Sequence, residues 1–452
     1  MDAMTAHLVD YAMATDFSRL SETTVHECKR RIIDTFACAV GAYDEPISRM
    51  ARAVAQRSTG DPSATVWGTS TPTTPEAAAF ANGVMLRLDD ISDNYRVKSG
   101  GHPSDTIAAM MAAGEAVKAD GASVINAITI AYDVYCSFCE SFDLNSKGWD
   151  QPVYGVLACV LGAGRLMNLT RGQMGNAVAL ALTPNMALFQ TRTGDLSSWK
   201  GCAGGNASRN ALFAAFLARD GFTGPDAAFE GRHGFFSIVG HFDWKVIADA
   251  THPHRVTQTH FKCFPVCGHG QSATQAAVEI HPRVNVADIR EVLVEVYRMG
   301  VEMMANEPSR WAPTTRETAD HSLPYVVAVG LLDGQVTPRS FAADRLVDPA
   351  VVALMQKVKV VESPELTARF PEAWSTRLRV RLASGGEVTT EVRYPKGHVK
   401  DPLSDADIEK KFQSMFRSYG DKRQCKAVLD ALWKFDHAAS VGEVLQPLVK
   451  QS

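Results

Sequence analysis

The stretch DDISDNYRVKSGGHPSDT, from Asp89 to Thr106, sets three aspartates within five residues and follows them with a Gly-Gly-His-Pro-Ser run. Clustered carboxylates beside a histidine are the raw material of acid–base chemistry. A desolvated carboxylate next to another has a raised pKa and can take or give a proton. Helical spacing puts Leu86, Asp90, Asp93 and Asn94 on one face if the preceding helix runs that far. Gly100-Gly101 then end the helix and allow a tight path to His102, with Ser104 as N-cap of the next helix. A histidine just outside a helix N-terminus lies in a potential that attracts anions. The plainer reading is a surface corner, where Asp89 and Asp90 pair with Arg87 and Lys98 and His102 only turns the chain.

Two further stretches carry lysines in suggestive settings. In SSWKGCAGGNASRN, Lys200 ends a polar loop and Gly201, Gly204 and Gly205 lead towards a helix beginning near Asn206. A glycine-rich approach to a helix N-terminus beside a lysine suits a carboxylate or phosphate, although an isolated loop lysine is more often simply solvated. Neither a Walker A loop nor a dinucleotide-binding glycine pattern is present. In THFKCFPVCGHGQS, Lys262 sits between Phe261 and Phe264-Pro265, where its stem can also snorkel over the rings. Cys136-Ser-Phe-Cys139 has metal-like spacing, but it lies inside a helical pattern and reads as buried structural cysteine, so no metal is expected.

These residues need elements to hold them. Residues 1–270 read as successive helices. They include one capped by Ser21, then Ile107–Lys118, Val124–Phe142, Tyr154–Met167, Arg171–Leu182 and Ala207–Arg219, rich in alanine and glycine. The pattern then changes. VEVY reads as a strand, and STRLRVRLASGGEVTTEVRY alternates on both sides of a Ser-Gly-Gly turn as a hairpin with one wet face. Helical signals return at Ser404-x-x-Asp407 and Ser440-x-x-Glu443. The expected architecture is mostly α: a large, discontinuous helical domain (1–282 and 396–452) and a smaller α+β lid (283–395), with a ligand cleft between them.

Composition narrows the partners. With 46 basic and 50 acidic residues and a formal charge of −4, the chain offers no electrostatic footprint for nucleic acid. It shows no signal peptide and no run of eighteen apolar residues, and its nine scattered cysteines suit a reducing compartment. A cytoplasmic protein without membrane partners is expected.

Taken in order, LDDISDNY with GGHPSD, WKGCAGGNASRN continuing into FTGPDAAFEGRHGFF, FKCFP, TRETADHSLPYVVAVGLLDGQVT and YPKGH resemble the MmgE/PrpD family over nearly the whole chain. That family includes 2-methylcitrate dehydratases and cis-aconitate decarboxylases. The resemblance implies cofactor-free chemistry on a small polycarboxylate and a homodimer. It makes Asp90 and His102 an acid–base couple and Lys200 and Lys262 carboxylate clamps. Asn94 stands where relatives commonly have threonine. Gln151 stands where they often have histidine, and glutamine cannot titrate. Tyr325 is a lid residue expected to face the pocket. The implied reaction is loss of water from a hydroxy-polycarboxylate. Decarboxylation of cis-aconitate or epimerisation of a related acid is the alternative, and a non-catalytic polycarboxylate-binding protein is a third reading.

Overall fold

A computed structural model describes residues 1–249 and 251–451. Helix accounts for 58% of the chain and strand for 9%, the mostly α architecture expected. Two hydrophobic cores organise it. The larger draws on residues between 8 and 261 and again between 403 and 448. The smaller draws on residues between 266 and 392. The helix Gln271–Ile280, read from sequence as part of the first helical unit, instead buries Ala273, Ala276, Ala277 and Ile280 in the second core.

Local rules explain the helices of the larger unit. Ser21 caps Glu22–Gly41 by accepting from Thr24 N, and Thr74 caps Pro75–Arg87, with proline in the first turn. Close helix packing comes from small residues. A Cβ on Gly83 would lie 2.5 Å from Gly205 Cα, so only glycine lets Pro75–Arg87 and Trp199–Arg219 approach this closely. Ser404 and Asp407 form a capping box for Asp405–Phe416, which packs on Glu22–Gly41. Gly121–Ser141 is long and apolar enough to cross a bilayer, yet 89% of its apolar window is buried in the core.

The smaller unit is a four-stranded sheet in the order Val358–Glu362, Ile289–Val296, Thr376–Leu382, Glu387–Val392, the first pair parallel and the others antiparallel. Val292, Val294, Leu378 and Val380 point into the core. On the other face Arg379 meets Glu295 at 2.9 Å and Arg381 meets Glu291 at 3.1 Å, a solvated charge ladder.

Candidate active site

The helix preceding the aspartate cluster stops at Arg87, earlier than the shared-face reading required. Asp90 takes φ +50°, a left-handed turn that aspartate tolerates better than most residues. Asp90, Asp93 and Asn94 therefore lie on a buried loop rather than on one helix face. Asn94 then exchanges two backbone hydrogen bonds with His260, at 2.9 and 2.8 Å, which lays the segment carrying Lys262 beside the loop. Tyr95–Arg96 pairs with Gly100–Gly101 in a miniature hairpin that turns the chain to His102. A Cβ on Gly101 would fall 2.0 Å from Tyr135 Oη and 2.6 Å from Gln151 Oε1, so glycine is required where His102 N donates to Tyr135 Oη. Ser104 does not cap a helix. It lies within a 3-10 turn, Pro103–Thr106, and its N–H donates to Asp93 Oδ1.

Lys200 stands in the first turn of a helix that begins at Trp199, several residues before the expected start. The Gly83–Gly205 contact brings this turn alongside Asp90. Lys200 Nζ donates to Asp320 Oδ1 and Oδ2 at 2.7 and 2.8 Å and to Asp90 Oδ2 at 3.3 Å. Lys262 Nζ donates to Asp90 Oδ1 at 2.7 Å and to the Asp90 carbonyl at 2.8 Å, and Arg87 also pairs with Asp90. The surface-corner reading does not hold: Asp90 is 1% exposed, and Asp89 pairs with Arg316. Lys98 instead donates to the Ser141 carbonyl.

The electrostatics assign different states to these groups. Burial opposes ionisation of Asp90, but Arg87, Lys200 and Lys262 outweigh it and hold the carboxyl well below its usual range. Burial brings Lys262 down to about 8 even with Asp90 beside it. Burial, reinforced by Arg87 and Lys262, pushes His102 well below its ordinary value, so its imidazole is neutral at pH 7. His102 Nδ1 lies 2.7 Å from the Asp93 carbonyl, which fixes the proton there and leaves Nε2, 4.0 Å from Asp90 Oδ1, as a free base. Asp93 is itself held by Tyr132 Oη and Ser104 N.

A small cavity of about 40 Å³ opens at this place. Its walls include His102, Gln151, Arg96 and Arg192 from the larger unit and Cys267, Met303 and His321 from the smaller one. Of the four residues expected to do chemistry, His102 lines it directly. Asp90, Lys200 and Lys262 form the charged layer joined to it. Gln151 is on the wall. Tyr325 is not: it is buried in the smaller core, and its hydroxyl donates to the Ser340 carbonyl. That volume holds a water or two.

Sequence reasoning missed the second half of the site. His321 lines the cavity, with Nδ1 against Asp320, whose carboxylate is kept ionised against burial by Lys200 and His321. Cys267 faces His321. Burial alone would raise its thiol, but His321 reverses this and brings it to about 6. The adjacent Asp-His pair just before the Ser322 helix cap was the available signal. Asp90, Asp320 and His321 also have metal-ligand spacing, with ligand atoms within 4.8 Å of one another. The Lys200 and Lys262 ammonium groups stand 2.7–3.3 Å from those same carboxylates and supply the countercharge a cation would bring.

Comparison with known proteins bears on this arrangement. Residues 6–246 match the model of the MmgE/PrpD N-terminal domain and residues 264–434 that of the MmgE/PrpD C-terminal domain. The chain is similar to a 2-methylcitrate dehydratase of Salmonella typhimurium, 27% identical over 87% of this chain and 85% of the relative. It is also similar to one of Cupriavidus necator, 26% identical over 95% and 93%. A human cis-aconitate decarboxylase is 26% identical over 87% and 84%.

Proposed function

The chain belongs to the MmgE/PrpD family, and from that premise we propose that it is a hydro-lyase that removes water from a hydroxy-polycarboxylate such as 2-methylcitrate or citrate. The observation that carries this reading is His102: a neutral, buried imidazole whose free Nε2 faces a cavity surrounded by cations. His102 Nε2 takes the proton from the carbon next to a substrate carboxylate. The electron pair passes into the new C=C bond as the hydroxyl departs from the adjacent carbon. His321, held by Asp320 and lining the same cavity, is the acid that protonates the leaving hydroxyl. Charge accumulating on the substrate carboxylate as the proton leaves is stabilised by the surrounding Arg87, Lys200 and Lys262 network.

In this scheme Asp90 is not the acid. Its carboxylate is fully ionised and its oxygens are occupied by Lys262, Arg87 and Lys200, so its role is to organise the cations. The lysines act as carboxylate clamps only when substrate displaces their protein partners. The same base beside a carboxylate also serves decarboxylation, the second reading, supported by the human relative at nearly equal identity. The deciding test is incubation with each candidate acid and identification of the product. Loss or gain of water supports the hydro-lyase, and carbon dioxide release supports the decarboxylase.

We also propose a homodimer. Leu188, Trp199 and Phe213 are exposed, and the last two lie fourteen residues apart on one helix face, beside the loop that carries Arg192. Light scattering at the monomer mass would overturn that.

A further inference from the structure

The proposal that follows rests on the polycarboxylate reading and specifies how such a ligand is held. The cations around the cavity are nearly all spoken for. Arg87 pairs with Asp90, Lys262 with Asp90, Lys200 with Asp320 and Asp90, and Arg192 with Asp150 at 3.1 Å. Arg96 differs. Its side chain lines the cavity, yet among the described residues it has no carboxylate partner, and its Nε is buried without a hydrogen-bond acceptor. Leaving a guanidinium N–H unsatisfied is costly, and a ligand acceptor placed against it would remove that cost.

A second orphan lies beside it. Asn94 is 0% exposed, and neither its Oδ1 nor its Nδ2 has a partner. Asn94 and Arg96 are two residues apart on extended chain, so their side chains share a side. Gly268 places them together. A Cβ there would come within 2.7 Å of Arg96 Nε and 3.2 Å of Asn94 Oδ1. A Cβ on Gly100 would likewise come within 2.9 Å of Arg96 Cγ. Two glycines thus clear the space that the guanidinium fills, and the backbone exchange between Asn94 and His260 fixes the floor beneath it.

We propose that Arg96 and Asn94 form a carboxylate-anchoring subsite, which binds a substrate carboxylate remote from the reacting carbon and so selects acids with three carboxylates over acids with two. A planar guanidinium matches a carboxylate with two parallel hydrogen bonds, and the Asn94 amide adds a donor for a carboxylate oxygen or a substrate hydroxyl. Arg96 serves this better than the lysines, because binding a ligand there breaks no existing ion pair.

The test is calorimetric binding of citrate, tricarballylate and succinate to wild type, Arg96→Gln and Arg96→Lys. Tricarballylate has three carboxylates and no hydroxyl, so its binding does not depend on turnover. Arg96→Gln is expected to weaken the two tricarboxylates about 10- to 100-fold, the value of one charge-assisted bidentate contact, and to change succinate much less. Arg96→Lys, which keeps the charge but not the fork, should recover part of the loss. The melting temperature of ligand-free Arg96→Gln should not fall, because no protein partner is lost, whereas a structural arginine would lower it. Equal binding of tricarballylate by wild type and Arg96→Gln overturns the anchor and leaves the hydro-lyase reading standing. Loss of binding in Arg96→Gln, with a wild type that turns over no acid, supports the anchor and removes the hydro-lyase. A wild type that binds neither tricarboxylate overturns the anchor.

Discussion

Replacing His102 by glutamine separates its chemistry from its structural role. The imidazole is 3% exposed, and its Nδ1–H is the donor to the Asp93 carbonyl. Glutamine can offer an amide N–H to that carbonyl but cannot accept a substrate proton. The loss of a positioned general base lowers kcat by about 10²–10⁴-fold, while stability should change by about 1 kcal/mol or less because the hydrogen bond can be replaced. Alanine is a poorer probe, since it orphans the Asp93 carbonyl and costs about 1–3 kcal/mol in addition. The pH dependence sharpens the test. Burial with Arg87 and Lys262 depresses the folded-state pKa well below 6.5, so between that value and 6.5 the unfolded chain binds a proton that the native one does not. Wild-type stability therefore falls as pH drops through this window, and His102→Gln lacks that component. The acid limb of kcat/KM should likewise lie well below pH 6.5. Stopped assays of kcat and KM against pH, paired with urea unfolding at each pH, read both effects. Activity of the glutamine variant within a few-fold of wild type would refute the base assignment, as would an acid limb at or above pH 6.5.

Three other outcomes follow from the same geometry. Asp90→Asn removes the shared countercharge of Arg87, Lys200 and Lys262. It should cost about 3–5 kcal/mol in denaturant unfolding and push the Lys262 pKa below its present value of about 8. An unchanged unfolding midpoint would contradict this. Cys267 should alkylate with a pH midpoint near 6, set by His321, and be protected by bound polycarboxylate; peptide mapping after iodoacetate treatment locates the adduct, and a midpoint near that of a free thiol would sink the pairing. Lys411 donates to the carbonyls of Ile91 and Lys262, at 2.8 and 3.0 Å, while paired with Asp34 at 2.6 Å. Lys411→Met should therefore lower both stability and kcat, the latter by loosening Asp90 against Lys262, and a variant that melts earlier yet keeps full kcat would make the lysine purely structural.

Much of this architecture is written in local signals. Ser21, the Ser404–Asp407 box and the alternation around Ser384-Gly385-Gly386 specify their elements through hydrogen bonds and side-chain period that operate within a few residues. Around Asp90 helical spacing alone predicts a shared face, but tertiary pairing ends the helix at Arg87: the exchange between Asn94 and His260 and the triple countercharge on Asp90 hold a left-handed turn in place of another helical turn. The early start of the Lys200 helix has a similar source. Its glycines read as loop residues, yet they serve close packing against Gly83. The Asp320-His321 pair left a signal in the sequence, but Arg96 and Arg192 did not, because nothing in a linear pattern shows which side chains two separate units bring to one cavity. Tyr325 shows the reverse error. It lies four residues from His321, and the helix that starts between them turns it into the core.

The most direct measurement is proton NMR of the purified protein in deuterated water, with 2-methylcitrate, citrate, cis-aconitate and a simple hydroxy-diacid supplied separately. The account predicts a new alkene signal from a hydroxy-tricarboxylate, or hydration of cis-aconitate, abolished in His102→Gln. Itaconate from cis-aconitate would instead establish the decarboxylase. Deuterium exchange alone would point to an epimerase. Four unchanged spectra from a protein that binds tricarballylate would contradict the hydro-lyase and leave a binding protein in its place.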